Sequence, residues 1–354
     1  MSHRRNTAIC LGFCALLAAC DSAQPTDPSP SGLSPAASAD LPTLANSWMA
    51  KRTLSPDRQV MAAGTINGII YVVGGRHIDW NTFIVRLLAR VDAYNVATNT
   101  WSRVASMPGP REEPNGASMI NGKLYVTGGR GSALTPEGFF KPTKTLFVYD
   151  PRSNTWTRKR DMPQVGCGGV QGVINGMLYV YMPSVRWCDT FGSGGTVVRF
   201  YRYNPATDTW VSRAIPPSGS GSGGVINGKF YLAGPDSRLH VYDPMSNTWT
   251  TRASMPESRD GMAAAVLNGK LYLVGGFNAS SEFPLRTLEV YNPQTNRWML
   301  QAGRAPPGQR EQADPEQQSE PRLGRREYEA ARRLRARQVR RARQGRHAAH
   351  HEVE

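Results

Sequence analysis

The chain has 354 residues and a formal net charge of +15, from 42 basic and 27 acidic side chains. Residues 301–354 hold 13 Arg and 8 acidic residues, a net +5, so the other +10 lies in residues 1–300 and does not by itself select a ligand. Only His77 and His240 of the six histidines lie in residues 47–300, and neither has a second potential ligand near it in sequence, which argues against a metal site.

Residues 1–20 have the pattern of an export signal. Arg4 and Arg5 precede an apolar segment, Thr7–Ala19, that is too short to span a bilayer as a stable helix. The segment ends in Leu-Ala-Ala-Cys, which resembles the bacterial lipobox. That resemblance implies that Cys20 carries a lipid after cleavage and holds the protein at the bacterial cell envelope, in the periplasm or at the cell surface. The alternative is an ordinary cleaved signal with an incidental cysteine.

Residues 21–46 are rich in Pro, Ser, Ala and Thr and have almost no large apolar side chains. Such a segment cannot bury enough apolar surface to offset the entropy of ordering it. We therefore expect a flexible linker between the lipid anchor and the folded part, which we place at residues 47–300.

A repeated unit occupies residues 47–300, and its clearest copy is Ala263–Trp298. Two strand-length apolar runs flank an Asn-Gly pair, which favours a tight hairpin turn. A diglycine and a variable loop follow, and then an alternating run, a turn and a Trp, so one unit predicts a four-stranded antiparallel sheet. The Trp closes five copies, at Trp101, Trp156, Trp210, Trp249 and Trp298.

The Asn-Gly turn, the diglycine and the Tyr and Trp of the later strands resemble the kelch repeat, over roughly Trp48 to Trp298. The resemblance implies an all-β fold, a kelch-type β-propeller of four-stranded antiparallel blades with five full repeats. Two copies depart from the diglycine, with Tyr181-Met182 in the third and Gly234-Pro235 in the fourth, which predicts altered loops there.

A sixth blade is expected to be incomplete. Asn46–Ala50 resembles a closing strand, and kelch propellers commonly complete one blade with strands from both chain ends. The other three strands of that blade should follow Trp298, but residues 301–354 lack Asn-Gly, Trp and Phe. This Arg-rich tail is either a genuine basic extension, disordered or helical, or the product of a shifted reading frame, which is the interpretation we favour.

Cysteine usage gives one further prediction. Because export would place the protein in an oxidising compartment, we expect a disulfide between Cys167 and Cys188, at the start of the third repeat and in its loop. Two unpaired buried thiols are the alternative. Some secreted kelch enzymes are copper-radical oxidases that use paired histidines and tyrosines, and this chain has no such histidine pair. We expect no cofactor.

The candidate ligand face lies where the second-to-third strand loops and the inter-blade connections emerge together. Guanidinium groups and aromatic rings on this face suit carboxylates, sugars or peptides. An Arg that follows a Met-Pro turn has the alternative role of bracing neighbouring blades. The candidates are Arg58, Arg76, Trp80, Arg111, Arg130, Phe140, Trp187, Arg259 and Phe277.

Two functions remain open at this stage. The first is a membrane-anchored, extracytoplasmic module without catalysis that binds a protein, a peptide or a carbohydrate. The second is a periplasmic sugar-acid mutarotase or epimerase, since the architecture is similar to that of kelch sialic-acid mutarotases. Its acid–base chemistry would draw on His77, Arg111, Glu112 and Glu113. A nucleic-acid partner is not expected, because an exported tail would face none.

Overall fold

The structure is a computed structural model that describes residues 49–55, 57–79, 82, 84–134, 140–183, 198–278 and 284–301. These residues form strands and connections and contain no helix. In chain order the strands are β1 (Ala62–Ile66), β2 (Ile69–Val73), β3 (Arg76–Asp79), β4 (Ile84–Leu87), β5 (Val91–Asn95), β6 (Thr100–Val104), β7 (Gly116–Ile120), β8 (Lys123–Thr127), β9 (Arg130–Leu134), β10 (Phe140–Pro142), β11 (Leu146–Asp150), β12 (Thr155–Lys159), β13 (Val170–Ile174), β14 (Met177–Met182), β15 (Arg199–Asn204), β16 (Thr209–Ser212), β17 (Ser222–Ile226), β18 (Lys229–Ala233), β19 (Leu239–Asp243), β20 (Thr248–Arg252), β21 (Ala263–Leu267), β22 (Lys270–Val274), β23 (Leu288–Asn292) and β24 (Arg297–Gln301).

The strands form five four-stranded antiparallel blades of a β-propeller, as the repeat predicts. The blades are β1-β2-β5-β6, β7-β8-β11-β12, β13 to β16, β17 to β20 and β21 to β24. Two additional two-stranded hairpins, β3–β4 and β9–β10, fill the long loops of the first and second blades. The prediction of five full repeats is confirmed.

The Asn-Gly turns have the backbone that the sequence predicts. Asn67 and Gly68, for example, both have positive φ, at 49° and 76°, and the same pair of left-handed residues recurs in every blade. Positive φ at both central positions gives the type I′ turn, whose twist matches that of the flanking strands.

The fourth strand of each blade is fastened to the connection that enters the blade. In the second blade, Tyr149 donates a hydrogen bond to Asn154, Asn154 accepts one from the Ala105 main chain, and Trp156 donates to the Ala105 oxygen. All five blades repeat this arrangement, which we call the Tyr–Asx–Trp latch. In each blade the Trp indole donates a hydrogen bond to the main-chain oxygen of one residue in the entering connection: Arg52, Ala105, Arg160, Ala214 or Ala253.

The core lies between neighbouring blades rather than within one sheet. Tyr71 of the first blade packs against Tyr149 of the second, with ring centroids 5.7 Å apart, inside a cluster that also buries Val73 and Leu124. Innermost strands contact one another in the order β1, β7, β13, β17 and β21. Among the described residues, no contact of comparable extent joins β21 back to β1. Apart from Met49 and Ala50, the expected incomplete sixth blade falls on residues outside the described ranges, and it stays a prediction.

Candidate functional site

The two extra hairpins mark one end of the propeller, where the second-to-third strand loops and the inter-blade connections meet. We call this end the loop face. The two altered diglycine positions differ in what the structure shows. In the fourth blade the connection from β18 to β19 is only a short turn through Gly234–Arg238, in which Ser237 has a φ of 67°. In the third blade most of the corresponding loop lies outside the described residues.

A cluster of four charged side chains lies on the loop face between the first and second blades. Arg76 and Arg130 directly follow the two diglycines, and Glu112 pairs with Arg130 through two main-chain hydrogen bonds of 3.1 and 2.8 Å. The Glu112 carboxylate lies 3.4 Å from Arg76 and 3.0 Å from Arg130, and Glu113 lies 3.0 Å from Arg130. All four residues are site candidates predicted from the sequence, and their side chains lie together in the structure.

Burial controls the electrostatics of this charged cluster. Glu112 is completely buried, and burial raises the pKa of its carboxyl group, an effect that Arg130 and Arg76 oppose. Glu112 Oε1 makes no well-aligned hydrogen bond, although Arg130 Nη2 is 3.0 Å away. Arg76 keeps 29% of its side-chain surface exposed and Arg130 keeps 11%. Both arginines therefore keep part of their side-chain surface exposed on the loop face, whereas the Glu112 carboxylate is buried against them.

Two inter-blade connections beside the charged cluster contain a residue with a left-handed backbone conformation. Val60 and Glu113 occupy equivalent positions in two successive connections, with φ of 50° and 48°. The Glu113 N–H donates to the Val60 oxygen at 2.7 Å, and the Gly168 N–H donates to the Glu113 oxygen at 2.8 Å. This main-chain ladder joins the first three blades. It also explains why a β-branched residue is held in a conformation that usually favours glycine.

Arg58 and Arg259 are buried in ion pairs and do not face solvent. Arg58 pairs with Asp92, and Arg259, which is completely buried, pairs with Glu289 and donates to the Gly275 oxygen at 3.1 Å. Burial is the main cause that lowers the pKa of Arg58 and raises that of Glu289. These positions favour the bracing role over ligand binding for both arginines.

Arg111 occupies the same place in the second blade, but no carboxylate among the residues that the structure describes forms such a pair with it. Its guanidinium lies over the Phe147 ring, 5.6 Å from the centroid, and donates to the Pro110 oxygen at 2.7 Å. Phe147 stands where Asp92 and Glu289 stand in the first and fifth blades. These two acidic partners were not predicted from the sequence. Their signal was an acidic residue two places before the Tyr of the third strand.

The remaining candidates are spread over the loop face. His77 lies on β3 and contacts Asp57, with Nδ1 3.3 Å from the carboxylate, so the structure shows it paired away from Glu112. Phe140 is half-buried on β10, and Phe277, in the loop after β22, has 54% of its surface exposed. Trp80, Trp187 and Cys20 lie outside the described residues.

Cys167 stands at the position equivalent to Glu112 in the connection that enters the third blade. It is completely buried and takes part in a disulfide. Its expected partner, Cys188, lies outside the described residues, so the pairing stays a prediction. In the described part of the chain, no group of three or more His, Cys, Asp or Glu side chains could hold a metal ion. No helix of the described residues is both long and apolar enough to cross a membrane.

Comparison with known proteins shows which family of sequence repeats these blades resemble. The Kelch motif model matches residues 61–108, 114–163 and 258–302, which contain the first, second and fifth blades. Kelch-like protein terF of Aspergillus terreus is 26% identical over 68% of this chain and 55% of its own length. An F-box/kelch-repeat protein of Arabidopsis thaliana is 30% identical over 54% and 46%, respectively. Kelch-like protein 15 of Danio rerio is 27% identical over 72% and 35%.

The matched region thus spans from about a third to about half of the length of these curated relatives. Among solved structures, YjhT superposes with a TM-score of 0.57 over 72% of this chain and 88% of that chain. The two sequences are 16% identical, so this likeness concerns the fold alone. The chain is thus a five-bladed β-propeller, and the three kelch-motif matches and the kelch-repeat relatives support its interpretation as a kelch-repeat propeller.

Proposed function

We propose that this protein is a binding module of the cell envelope that recognises another protein through its loop face. The observation that carries the proposal is the placement of Arg76, Arg130 and Phe277 at the same end of a braced scaffold. Arginine and large aromatic side chains dominate the binding energy of protein interfaces when they are held in place before binding. The kelch-repeat relatives support a protein-interaction role.

The rigidity of the scaffold supports recognition rather than movement. Each blade is fastened by the Tyr–Asx–Trp latch, and buried ion pairs brace the first and fifth blades. The ion pairs of Arg76 and Arg130 with Glu112 limit the freedom of both guanidinium groups. A ligand therefore binds side chains that are already ordered in the free protein, which lowers the entropic cost of binding.

This proposal can be tested by comparing the proteins that the immobilised wild type and single-residue variants capture. The full chain and its Arg130→Ala, Phe277→Ala and Met245→Ala variants would be immobilised, and proteins bound from an envelope extract of the source cells quantified. Met245 is 91% exposed in the turn between β19 and β20, at the opposite end of the propeller, and is the matched control. We expect proteins that bind the wild type and Met245→Ala but not the two loop-face variants. Equal recovery by all four would contradict the proposal.

We further propose that a lipid on Cys20 anchors the module, with residues 21–46 as its tether. The support is the sequence alone: a positive n-region, a short apolar segment and Leu-Ala-Ala-Cys. Growth with an alkyne-labelled fatty acid should label the wild-type protein and leave a Cys20→Ser variant unlabelled. Labelling of both, or of neither, would contradict the lipid anchor.

A second candidate is the sugar-acid mutarotase or epimerase activity. It is favoured by one observation, that Glu112 and Glu113 lie within 3.0 Å of Arg130 and that burial raises the pKa of Glu112. A raised pKa makes a carboxyl group better suited to general acid–base catalysis, and an arginine can hold a substrate carboxylate. Proton NMR of N-acetylneuraminate anomerisation tests this candidate. Acceleration by the wild type that Glu112→Gln abolishes would support catalysis, whereas a rate equal to buffer would exclude this activity.

A further inference from the structure

A second charged surface lies along the outer strands of the first three blades. Basic residues occur where the segment that enters the first blade, and then each fourth strand, comes to its end. The main-chain oxygen of Arg52 accepts the Trp101 indole hydrogen bond at 2.9 Å, so Arg52 lies beside β6, which contains Arg103. Arg160 accepts that of Trp210 at 2.9 Å and lies beside β16 in the same way. We call this set of basic residues the outer belt: Lys51, Arg52, Arg103, Arg158, Lys159, Arg160 and Arg213.

Most of the charge of the outer belt has no acidic partner. Arg158 forms an ion pair with Asp161 at 2.7 Å, and in the described part of the chain the other six members form no ion pair. Asp208 also lies beside the belt, where its carboxylate accepts hydrogen bonds from a tyrosine and a main-chain N–H. Lys123 and Lys229, at two of the Asn-Gly turns, are each paired with an aspartate, at 2.9 and 2.8 Å. The excess of positive charge is therefore a feature of the outer strands and not of every surface lysine and arginine.

The acidic residue opposite Arg103 is engaged in other ion pairs. The pairing of β5 with β6 places Asp92 across from Arg103, but the Asp92 carboxylate is buried and pairs with Arg58 and Arg90. Arg103 itself is exposed. Its guanidinium group is thus available to an anion from outside the chain.

The side chains beside these charges favour a membrane over a nucleic acid. Met49 and Val211, each two residues before a member of the belt, are exposed by 73% and 42%, and surfaces that lie on membranes combine basic with apolar side chains. Single-stranded nucleic acids are bound largely by stacking of bases on aromatic rings. The Trp rings of β6, β12 and β16 are instead stacked on tyrosines of their own blades, with centroids 4.9 to 5.1 Å apart.

We infer that the outer belt is a docking surface for the anionic headgroups of a phospholipid bilayer. Guanidinium groups match the geometry of phosphate oxygens, and a basic patch adds to the membrane affinity that a lipid anchor provides. The choice of a membrane as the partner rests on the proposed envelope location, whereas the belt itself needs no lipid on Cys20 in order to bind. The inference concerns a surface other than the one formed by Arg76 and Arg130.

Vesicle binding by two charge-matched variants tests this inference. All proteins would be full-length and carry Cys20→Ser, so that the result does not depend on the proposed lipid anchor. The described residues show no ion pair for any of the six side chains that would be replaced. The belt variant is Arg52→Gln/Arg103→Gln/Arg160→Gln, and the control, in the fifth blade, is Lys270→Gln/Arg286→Gln/Arg297→Gln.

The quantity measured is the affinity for vesicles of phosphatidylglycerol and phosphatidylcholine divided by the affinity for vesicles of phosphatidylcholine alone. We expect this ratio to be about tenfold or more lower for the belt variant than for the control variant, and the difference to shrink at high salt. Equal ratios for the two variants would overturn the inference. A loss of heparin binding by the belt variant, without any preference of the parent protein for anionic vesicles, would assign the belt to a soluble polyanion and would also overturn it.

Amide hydrogen exchange locates the contact without depending on how the variants fold. Vesicles that contain phosphatidylglycerol should slow exchange in β6, β12 and β16 of the Cys20→Ser protein more than in β24. Equal slowing in all four strands, or slowing confined to residues 301–354, would contradict docking through the outer belt.

Discussion

The Trp156 indole donates a hydrogen bond to the main-chain oxygen of Ala105, 2.8 Å away and 51 positions earlier in the chain. This bond joins the fourth strand of the second blade to the connection that enters it, and Tyr149 stacks on the same indole with centroids 5.1 Å apart. Residues of a local sequence pattern thus form a contact between parts of the chain that are distant in sequence.

Replacing Trp156 by Phe should separate the hydrogen bond from the stacking. Phe keeps an aromatic ring beside Tyr149 but leaves the Ala105 oxygen without its donor, so we expect the free energy of unfolding to fall by about 1 kcal/mol or somewhat more. Urea denaturation followed by circular dichroism measures the change. An unchanged midpoint would mean that the indole N–H contributes nothing to the latch.

Because Arg259 and Glu289 form a buried ion pair, we expect the effects of substituting them on stability to be non-additive. Arg259→Met leaves the Glu289 carboxylate buried without its partner, which typically costs about 3–5 kcal/mol. The double variant Arg259→Met/Glu289→Leu removes both charges and should recover a large part of that loss, because no uncompensated charge is left buried. Denaturation midpoints of the three proteins test this. If the double variant is as unstable as the single one, the pair is not the source of the loss.

The buried His240 predicts a loss of stability in mild acid. It is 2% exposed, and burial lowers its pKa below the ordinary value of 6.5, with Asp236 opposing and Arg238 adding to the effect. Because the unfolded chain then binds the proton more tightly, the contribution of His240 to stability is complete above about pH 6.5 and falls as the pH drops through the folded-state pKa.

His240→Phe should remove this part of the pH dependence, since Phe147 fills the equivalent position in the second blade. The difference in unfolding temperature between pH 7.5 and pH 5 should be smaller in the variant than in the wild type. A difference of the same size in both proteins would show that His240 is not responsible.

The left-handed backbone at Val60 predicts a stabilising substitution. A β-branched residue with φ of 50° is strained, and glycine adopts this conformation without a steric cost. After allowing for the greater freedom of glycine in the unfolded chain, Val60→Gly should raise the free energy of unfolding by about 1 kcal/mol. The converse change, Gly261→Val at the equivalent position with φ of 64°, should lower it. Thermal unfolding checks both, and a destabilised Val60→Gly would contradict the strain assignment.

The sequence predicts the blades well because each depends on short-range signals. Asn67-Gly68 fixes a turn within four residues, and alternation assigns the faces of the flanking strands. The ion-pair partners were not predicted, because Arg58 meets Asp92, and Arg259 meets Glu289, across 34 and 30 positions of chain. Their pairing depends on how strands and connections pack.

The same limit applies to the candidate site. Glu112 and Arg130 could be placed on the loop face from the repeat, but whether a carboxylate is exposed or lies under two guanidinium groups depends on the packing of adjacent blades. His77 was grouped with Glu112 by sequence and pairs instead with Asp57. Repeat position thus predicts the end of the propeller on which a residue lies, but not its partner.

Photo-crosslinking tests directly whether the loop face binds another protein. A photoreactive p-benzoylphenylalanine would replace Phe277 on the loop face and, in a separate variant, Met245 at the opposite end, with irradiation in the producing cells. We expect a discrete protein adduct from position 277 and none from position 245. Adducts from position 245 alone, or none from position 277, would contradict it.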